Sequence, residues 1–197
     1  MPPVNRIVTV FGASRPKEGD QEYAEAVALG RALAEKGFAV CTGGYGGVME
    51  GVSRGAKEAD GYVIGVTTDL FTAPANQWVD EEIRKETWQD RLFHLIELGD
   101  GYVVCRGGTG TLVEFAVVWE MLNKRVMQPP RPFAVLGDFF QPVIERVREI
   151  EAPSRPISEW VEPPPWSEAS NRLIHHADTA TAAAEYMASK LLAPNGK

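Results

Sequence analysis

Short apolar runs alternate along this chain with segments in which apolar residues recur every three or four positions. The run Arg6-Ile7-Val8-Thr9-Val10-Phe11 predicts a strand, and the periodicity from Asp20 to Lys36 predicts a helix that ends at Gly37. The same reading predicts strands at 38–41 and 62–66, with a helix from 48 to about 59 between them. Alternation of this kind is typical of right-handed βαβ units and a parallel sheet.

The second half of the chain continues this pattern after a loop predicted at residues 67–80. A helix is expected from Glu86 or Thr87 to about Leu98, with an apolar stripe that leaves Arg91 to one side. The helix that ends at Asn123 is apolar over most of its circumference, so burial within the monomer and a subunit interface both remain open. The other predicted elements are strands at 101–105, 133–136 and 173–176 and helices at 139–150 and 180–192.

Together these elements predict an α/β fold with a doubly wound, mainly parallel sheet and helices on both of its faces. A single domain is expected over residues 1–197, since the pattern shows neither an internal repeat nor a second domain. Residues 151–170 hold five prolines and two tryptophans, which predicts an irregular excursion before the C-terminal helix.

Charge and composition narrow the classes of partner and compartment. The net charge of −7 disfavours nucleic acid, because phosphate backbones attract basic surfaces. No run approaches the roughly 18 apolar residues of a membrane span, and the N-terminus has no signal-peptide core, so a cytoplasmic protein is expected. Cys41 and Cys105 each end a predicted buried strand, which favours reduced packing residues over a disulfide.

The positions of the cysteines and histidines in the sequence do not indicate a metal site. No Cys/His spacing suggests a zinc site, and His94 is interpreted as a packed histidine of a largely apolar helix. His175 and His176 are adjacent in a predicted strand, so they point to opposite sides of it. We therefore expect neither a metal site nor a cofactor.

The turn after the strand at 101–105 carries the strongest chemical signal. It reads Arg106-Gly107-Gly108-Thr109-Gly110-Thr111-Leu112-Val113-Glu114. Its glycines permit close approach of a ligand, and the amides of 108–111 converge at a helix N-terminus, which favours an anion. Thr109 and Thr111 can add hydroxyl donors. Glu114 lies one turn into the helix on the ligand side, where a carboxylate is poorly suited to holding phosphate and so indicates another role.

A second glycine-rich turn, Gly43-Gly44-Tyr45-Gly46-Gly47, also follows a predicted strand and opens a helix. Both turns are expected at the carboxyl edge of the sheet, where ligands of doubly wound folds bind. A Walker loop is excluded because Thr111-Leu112 stands where lysine and serine or threonine are required. The first turn, Gly12-Ala13-Ser14-Arg15-Pro16-Lys17, does not match the dinucleotide fingerprint either. These exclusions predict a ligand that carries a single phosphate group.

At these positions the sequence resembles the LOG family, which is named for cytokinin-activating phosphoribohydrolases and often labelled "possible lysine decarboxylase". The family motif P-G-G-x-G-T-x-x-E resembles residues 106–114, and M-x-x-R-K is similar to Trp88-Gln89-Asp90-Arg91-Leu92. The spacing of 23 residues from Arg91 to Glu114 is that of the family. Similarity extends over about residues 6–150 and includes Val10-Phe11-Gly12-Ala13-Ser14 and the turn at 43–47.

The resemblance implies a Rossmann-like nucleotide-binding fold, a homodimer, and hydrolysis of the N-glycosidic bond of a modified adenosine 5′-monophosphate. Arg91 and Glu114 would be catalytic. No lysine context supports a pyridoxal Schiff base, so decarboxylation is not expected. The residues expected to bind substrate or phosphate are Gly12, Ala13, Ser14, Gly43, Gly44, Gly46, Gly47, Arg106, Gly107, Gly108, Thr109, Gly110 and Thr111.

Three positions depart from the family pattern. Arg106 replaces a proline, Leu92 a lysine and Trp88 a methionine. Arg106 is either a cation beside the phosphate loop or an exposed surface arginine, and Trp88 either narrows the base pocket or fills core. The alternative function is therefore a non-catalytic carrier or sensor of a nucleotide or phosphorylated cofactor, similar to the molybdenum-cofactor carriers that share this fold.

Overall fold

The computed structural model describes residues 6–151 and 173–193. Parallel strands form one seven-stranded sheet in the order β4-β3-β2-β1-β5-β6-β7. The strands are β1 (Ile7–Phe11), β2 (Ala39–Thr42), β3 (Val63–Thr68), β4 (Glu81–Lys85), β5 (Gly101–Val104), β6 (Phe133–Leu136) and β7 (Ile174–Ala177). The helices are α1 (Gln21–Glu35), α2 (Val48–Glu58), α3 (Trp88–Leu98), α4 (Thr109–Asn123), α5 (Gln141–Glu151) and α6 (Ala180–Leu191).

Two buried apolar clusters confirm that helices cover both faces of the sheet. One cluster joins the sheet to α1, α2 and α6, and the other joins it to α3, α4 and α5. Successive residues of β1 serve opposite faces, since Val10 belongs to the first cluster and Phe11 to the second. The α/β, doubly wound architecture predicted from the alternating pattern is therefore confirmed.

The strand β4 is an element that the sequence pattern missed. Its residues Glu81-Glu82-Ile83-Arg84-Lys85 are exposed or half-buried and form the edge of the sheet beside β3. A charged edge strand lacks the apolar run that marks a buried strand, and such charges discourage pairing with other chains. The loop predicted at 67–80 also began too early, because Thr67 and Thr68 belong to β3.

The order of the strands reverses beside β1. The chain builds outward from β1 through β2 and β3 to β4, then returns to place β5 on the other side of β1. The exit turns of β1 and β5 are joined by a hydrogen bond from the Ala13 amide to the Arg106 carbonyl, 3.0 Å long. Such a reversal opens a crevice at the carboxyl ends of the strands.

Other predictions have mixed outcomes. Cys41 and Cys105 are free and buried, as predicted. Among the residues described, no helix combines the length and apolarity that a membrane span needs. The proline-rich excursion at 151–170 lies outside the described residues, apart from Glu151 at the end of α5. The single domain over 1–197 stays a prediction.

Candidate functional site

A cavity of about 1240 Å³ lies at the crevice between the exit turns of β1, β2 and β5. The N-terminal turns of α3 and α4 and the loop after β3 complete its wall. Most of the residues singled out from the sequence line this one cavity. They are Gly12, Ala13, Ser14, Gly43, Arg91, Arg106, Gly107, Gly108, Thr109, Gly110, Thr111 and Glu114.

The N-terminus of α4 presents unpaired amides to the cavity. Leu112 donates the first hydrogen bond of the helix, to the Gly108 carbonyl at 2.9 Å, so the amides of residues 109–111 have no partner within the helix. A Cβ atom at Gly108 or Gly110 would meet no atom within 4 Å, so the loop is open beside these two residues. The geometry is that of an anion site at a helix N-terminus.

The two threonines of this loop occupy different environments. Thr109 is exposed, whereas Thr111 is buried and packs under Gly107. A Cβ atom at Gly107 would lie 2.1 Å from the Thr111 hydroxyl oxygen, so only glycine fits at position 107. Thr111 therefore supports the loop from below.

The turn at 43–47 contributes to the cavity mainly as a support. Gly44, Gly46 and Gly47 are absent from its wall, although they were expected to bind substrate. Gly47 has φ of +71°, and a Cβ atom there would lie 2.3 Å from the Ala13 carbonyl oxygen. The Val48 amide donates to that same carbonyl at 2.8 Å. The turn is thereby packed tightly against the first exit turn, and its glycines permit this close approach.

Arg91 is buried, which corrects the prediction that it stands off the apolar face of α3. Only 7% of the residue is exposed. Its Nε atom donates to the Val66 carbonyl at 2.8 Å and Nη2 donates to the Gly43 carbonyl at 3.2 Å. A Cβ atom on Gly43 would lie 2.0 Å from Nη2. The guanidinium also lies 5.6 Å from the centre of the Tyr45 ring, within the range of a cation–π contact.

Glu114 faces Arg91 across the cavity wall. Its Oε1 atom lies 4.0 Å from Nη1 of Arg91, and 14% of the side chain is exposed. Burial raises the pKa of the Glu114 carboxyl to about 7, although the charge of Arg91 acts in the opposite direction. The carboxylate accepts no hydrogen bond from any residue within 6–151 or 173–193, so its oxygens can bind a ligand.

Apolar and aromatic residues that were not predicted from the sequence to belong to the site complete the cavity wall. Tyr45 and Phe71 pack edge to face at 5.6 Å between ring centres, and the Tyr45 hydroxyl accepts a hydrogen bond from the Thr68 amide at 2.9 Å. Leu70 and Phe71 are 63% and 42% exposed. The sequence signal for these two residues was an adjacent pair of large apolar side chains, Leu70 and Phe71, in a loop predicted to lie near the strand ends.

The three departures from the LOG pattern have separate structural outcomes. Leu92 is a core residue with 5% exposure, so a lysine at that position would have to leave the core. Trp88 is half-buried and lines the cavity. The Arg106 side chain is 61% exposed at the cavity rim, where Nη1 lies 3.2 Å from a carboxylate oxygen of Glu22.

The histidines lie away from the cavity wall. His94 is half-buried, and burial lowers its pKa. The ring of His175 stacks on Tyr186 with 4.0 Å between centres, and His176 lies between two exposed aspartates. Within the described ranges, no three His, Cys, Asp or Glu residues form a group that could hold a metal ion.

Comparison with known proteins gives the family. The model of the SLOG cluster4 family matches residues 5–135. The chain belongs to the SLOG cluster4 family. The predicted LOG resemblance is thereby confirmed at the level of the family.

Individual relatives of this SLOG cluster4 protein cover most of the chain. An uncharacterized protein of Archaeoglobus fulgidus is 31% identical, and the match covers 77% of this chain and 91% of that protein. A cytokinin riboside 5′-monophosphate phosphoribohydrolase of Rhodococcoides fascians is 28% identical, and the match covers 74% of this chain and 75% of that protein. The molybdenum cofactor binding protein of Rippkaea orientalis has the same fold, with a TM-score of 0.72 and 24% sequence identity. The superposition covers 94% of this chain and 96% of that protein.

The raised pKa of Glu114 predicts a pH dependence of stability. The folded state holds the proton up to about pH 7, whereas the unfolded state releases it near the ordinary value of 4.5. The unfolded state therefore binds fewer protons in this window, and Glu114 makes the free energy of unfolding fall as pH rises from 4.5 to about 7. In Glu114→Gln this fall, at most about 3 kcal/mol, disappears.

Urea denaturation of wild type and Glu114→Gln at about pH 5 and about pH 8 measures this difference. Glu120→Gln, on the exposed side of α4, is the matched control and keeps the wild-type pH dependence. Parallel pH curves for wild type and Glu114→Gln would contradict the raised pKa.

Proposed function

We propose that this protein hydrolyses the N-glycosidic bond of an adenosine 5′-monophosphate, with or without a substituent on the base, to the free base and ribose 5-phosphate. The observation that carries the proposal is the buried Arg91–Glu114 pair in the same cavity as the open N-terminus of α4. The named activity of the Rhodococcoides fascians relative supports it.

The phosphate would bind at the amides of 109–111, which fixes the ribose in the cavity. Binding energy from the phosphate, which does not react, then orients the reacting sugar. Because this substrate carries one phosphate, it does not need the lysine with which a Walker loop neutralises the outer phosphates of a triphosphate. The lack of that lysine in this loop is consistent with a monophosphate.

Glu114 would act on the sugar as its glycosidic bond breaks. The electron pair of the C1′–N bond leaves with the base, and positive charge develops on the ribose. An ionised carboxylate stabilises this charge and accepts a proton from the water that adds to C1′, while solvent protonates the departing base. The cavity is open to solvent at this carboxylate, which is 14% exposed.

Arg91 would act mainly as a positioning residue. Its Nε and Nη2 donate to backbone carbonyls of β3 and the 43–47 turn, which leaves Nη1 directed at Glu114. The fixed positive charge favours the ionised carboxylate against the cost of burial. Lysine could keep the charge but not the fork of donors that Arg91 uses.

Base release measures the proposed activity. Wild-type protein is expected to release base from AMP or an N6-substituted AMP, and Glu114→Gln is expected to lose at least about a hundredfold in rate. Because the ionised carboxylate is required, kcat/KM should rise with pH and level off above about 7, the pKa of Glu114. Chromatography of the free base gives both results. Glu120→Gln controls for loss of an α4 carboxylate, and unchanged release by Glu114→Gln would reject the proposal.

The second candidate is a non-catalytic carrier or sensor of a nucleotide or phosphorylated cofactor. Its support is the volume of about 1240 Å³, which exceeds the roughly 300–1,000 Å³ of usual small-molecule sites, together with the fold of the Rippkaea orientalis protein. Under this reading Arg91 and Glu114 bind the ligand without turnover.

Substitution at Gly108 tests the phosphate site that both candidates share. Gly108 has φ of −92° and free space beside it, so Gly108→Ala and Gly108→Glu are both expected to fold. Gly108→Glu places a carboxylate at the amides of α4 and should weaken AMP binding at least about tenfold, whereas Gly108→Ala should weaken it less. Calorimetric titration measures both. Equal affinities for wild type and Gly108→Glu would place the phosphate elsewhere, and tight binding without base release would favour the carrier.

We further propose a cytoplasmic homodimer that uses the outer face of α4. The inner face of this helix is buried within the monomer, but Leu112 and Val113 are each 37% exposed. Light scattering should give twice the monomer mass for wild type and the monomer mass for Val113→Glu, since a buried charge opposes association. Leu192→Glu is the control and should stay dimeric, because the exposed Leu192 directly follows α6, which packs on the opposite face of the sheet from α4. A monomeric wild type would reject the dimer.

A further inference from the structure

The rim of the cavity carries two arginines that the hydrolysis of a monophosphate does not use. Arg15 and Arg106 both line the cavity, and they extend from neighbouring turns because the Ala13 amide donates to the Arg106 carbonyl. Arg15 is exposed and makes no ion pair or hydrogen bond with the residues that the structure describes. Arg106 directly precedes the glycine loop that would hold the first phosphate.

Arg106 is held at the rim by contacts that a ligand can replace or share. Its guanidinium carbon lies 5.0 Å from the centre of the Phe139 ring, and Nη1 lies 3.2 Å from Glu22 in the first turn of α1. The ring contact fixes the direction of the side chain without using its N–H donors. The ion pair with Glu22 is solvent-exposed, with side-chain exposures of 61% and 37%, so its loss costs little.

Two carboxylates, those of Asp20 and Glu22, also lie at the cavity rim, and their negative charge opposes the attraction of anions to the arginines. The Asp20 carboxylate accepts a hydrogen bond from the Lys17 amide at 2.8 Å and is engaged within its own turn. Glu22 is the carboxylate that neutralises Arg106 in this structure. Removing the charge of Glu22 would therefore release Arg106 for a ligand.

We propose that Arg15 and Arg106 form a second anion subsite, so that the cavity prefers ribonucleotides with a second anionic group beside the 5′-phosphate, such as nucleoside 5′-diphosphates. The amides of 109–111 hold the first phosphate, and Arg106 exchanges Glu22 for the second. The volume beyond that of a usual small-molecule site gives this group room. The inference rests on the proposed function only for the ribonucleotide part of the ligand.

Paired probes that differ by one phosphate test the subsite. Calorimetry would compare AMP with ADP, and orthophosphate with pyrophosphate, which carry no base. Wild type is expected to bind the diphosphate member of each pair on the order of tenfold more tightly, through charge-assisted hydrogen bonds. Raising NaCl from about 50 to about 300 mM should shrink this ratio, because exposed charges are screened. Where AMP is hydrolysed, the Glu114→Gln background prevents turnover.

Three variants test whether the arginines at the rim cause the preference for diphosphates. Arg15→Gln/Arg106→Gln should bring the diphosphate-to-monophosphate affinity ratio close to one, and Glu22→Gln should raise it several-fold because Arg106 loses its competing partner. Arg31→Gln is the matched control, since Arg31 on α1 pairs with Glu58 on α2 at 2.6 Å, is also partly exposed and lies outside the cavity wall. It should keep the wild-type ratio.

The outcomes separate this inference from the proposed function. A ratio of one in wild type, or a ratio that the double arginine variant leaves unchanged, overturns the second subsite even if AMP is hydrolysed. Binding of AMP without base release rejects the hydrolase, while a diphosphate preference that the double variant abolishes still supports the subsite. Failure of all four probes to bind overturns both.

Discussion

The rest of the site depends on the buried guanidinium of Arg91, which contacts three parts of the cavity wall: β3, the 43–47 turn and α4. It is buried between the end of β2 and the strand β3, where it pairs with the carbonyls of Gly43 and Val66. A buried charge is costly unless it is hydrogen-bonded and balanced by an opposite charge. Two backbone carbonyls accept hydrogen bonds from Arg91, and the Glu114 carboxylate, 4.0 Å from Nη1, supplies the opposite charge. The position of α3 against the sheet, the shape of the 43–47 turn and the ionisation of Glu114 are thereby coupled.

Burial has opposite effects on the two partners of this pair. Desolvation lowers the pKa of Arg91, but an arginine remains charged at neutral pH, so Arg91 acts as a fixed positive charge. Burial raises the pKa of Glu114 to about 7, so near neutral pH its carboxyl is divided between the protonated and the ionised form. A carboxyl balanced in this way is suited to proton transfer, whereas one with an ordinary pKa would be ionised at all physiological pH values.

The reversal of strand order beside β1 decides which loops form the cavity. It brings the turns after β1 and β5 into hydrogen-bond contact and places the amides of α4 beside them. Arg15 and Arg106 then extend from two adjacent turns, although 91 positions separate them in the chain. The charge at the rim and the position of the glycine loop are consequences of the same topology, and Arg106, which departs from the LOG motif, lies where the two meet.

The sequence alone determined the alternation of strands and helices, the glycine loop before α4 and the position of Glu114 one turn into that helix. These features depend on residues close in the chain, and local periodicity and backbone freedom record them directly. The burial of Arg91 was misread because its partners, Val66 and Gly43, lie 25 and 48 positions away, and helical periodicity carries no information about them. The strand β4 was missed because an exposed edge has no apolar run, and only its register with β3 makes it a strand. The surroundings of Arg106 at the cavity rim depended on Glu22 and Phe139, which are distant in the chain and which only the tertiary structure brought together.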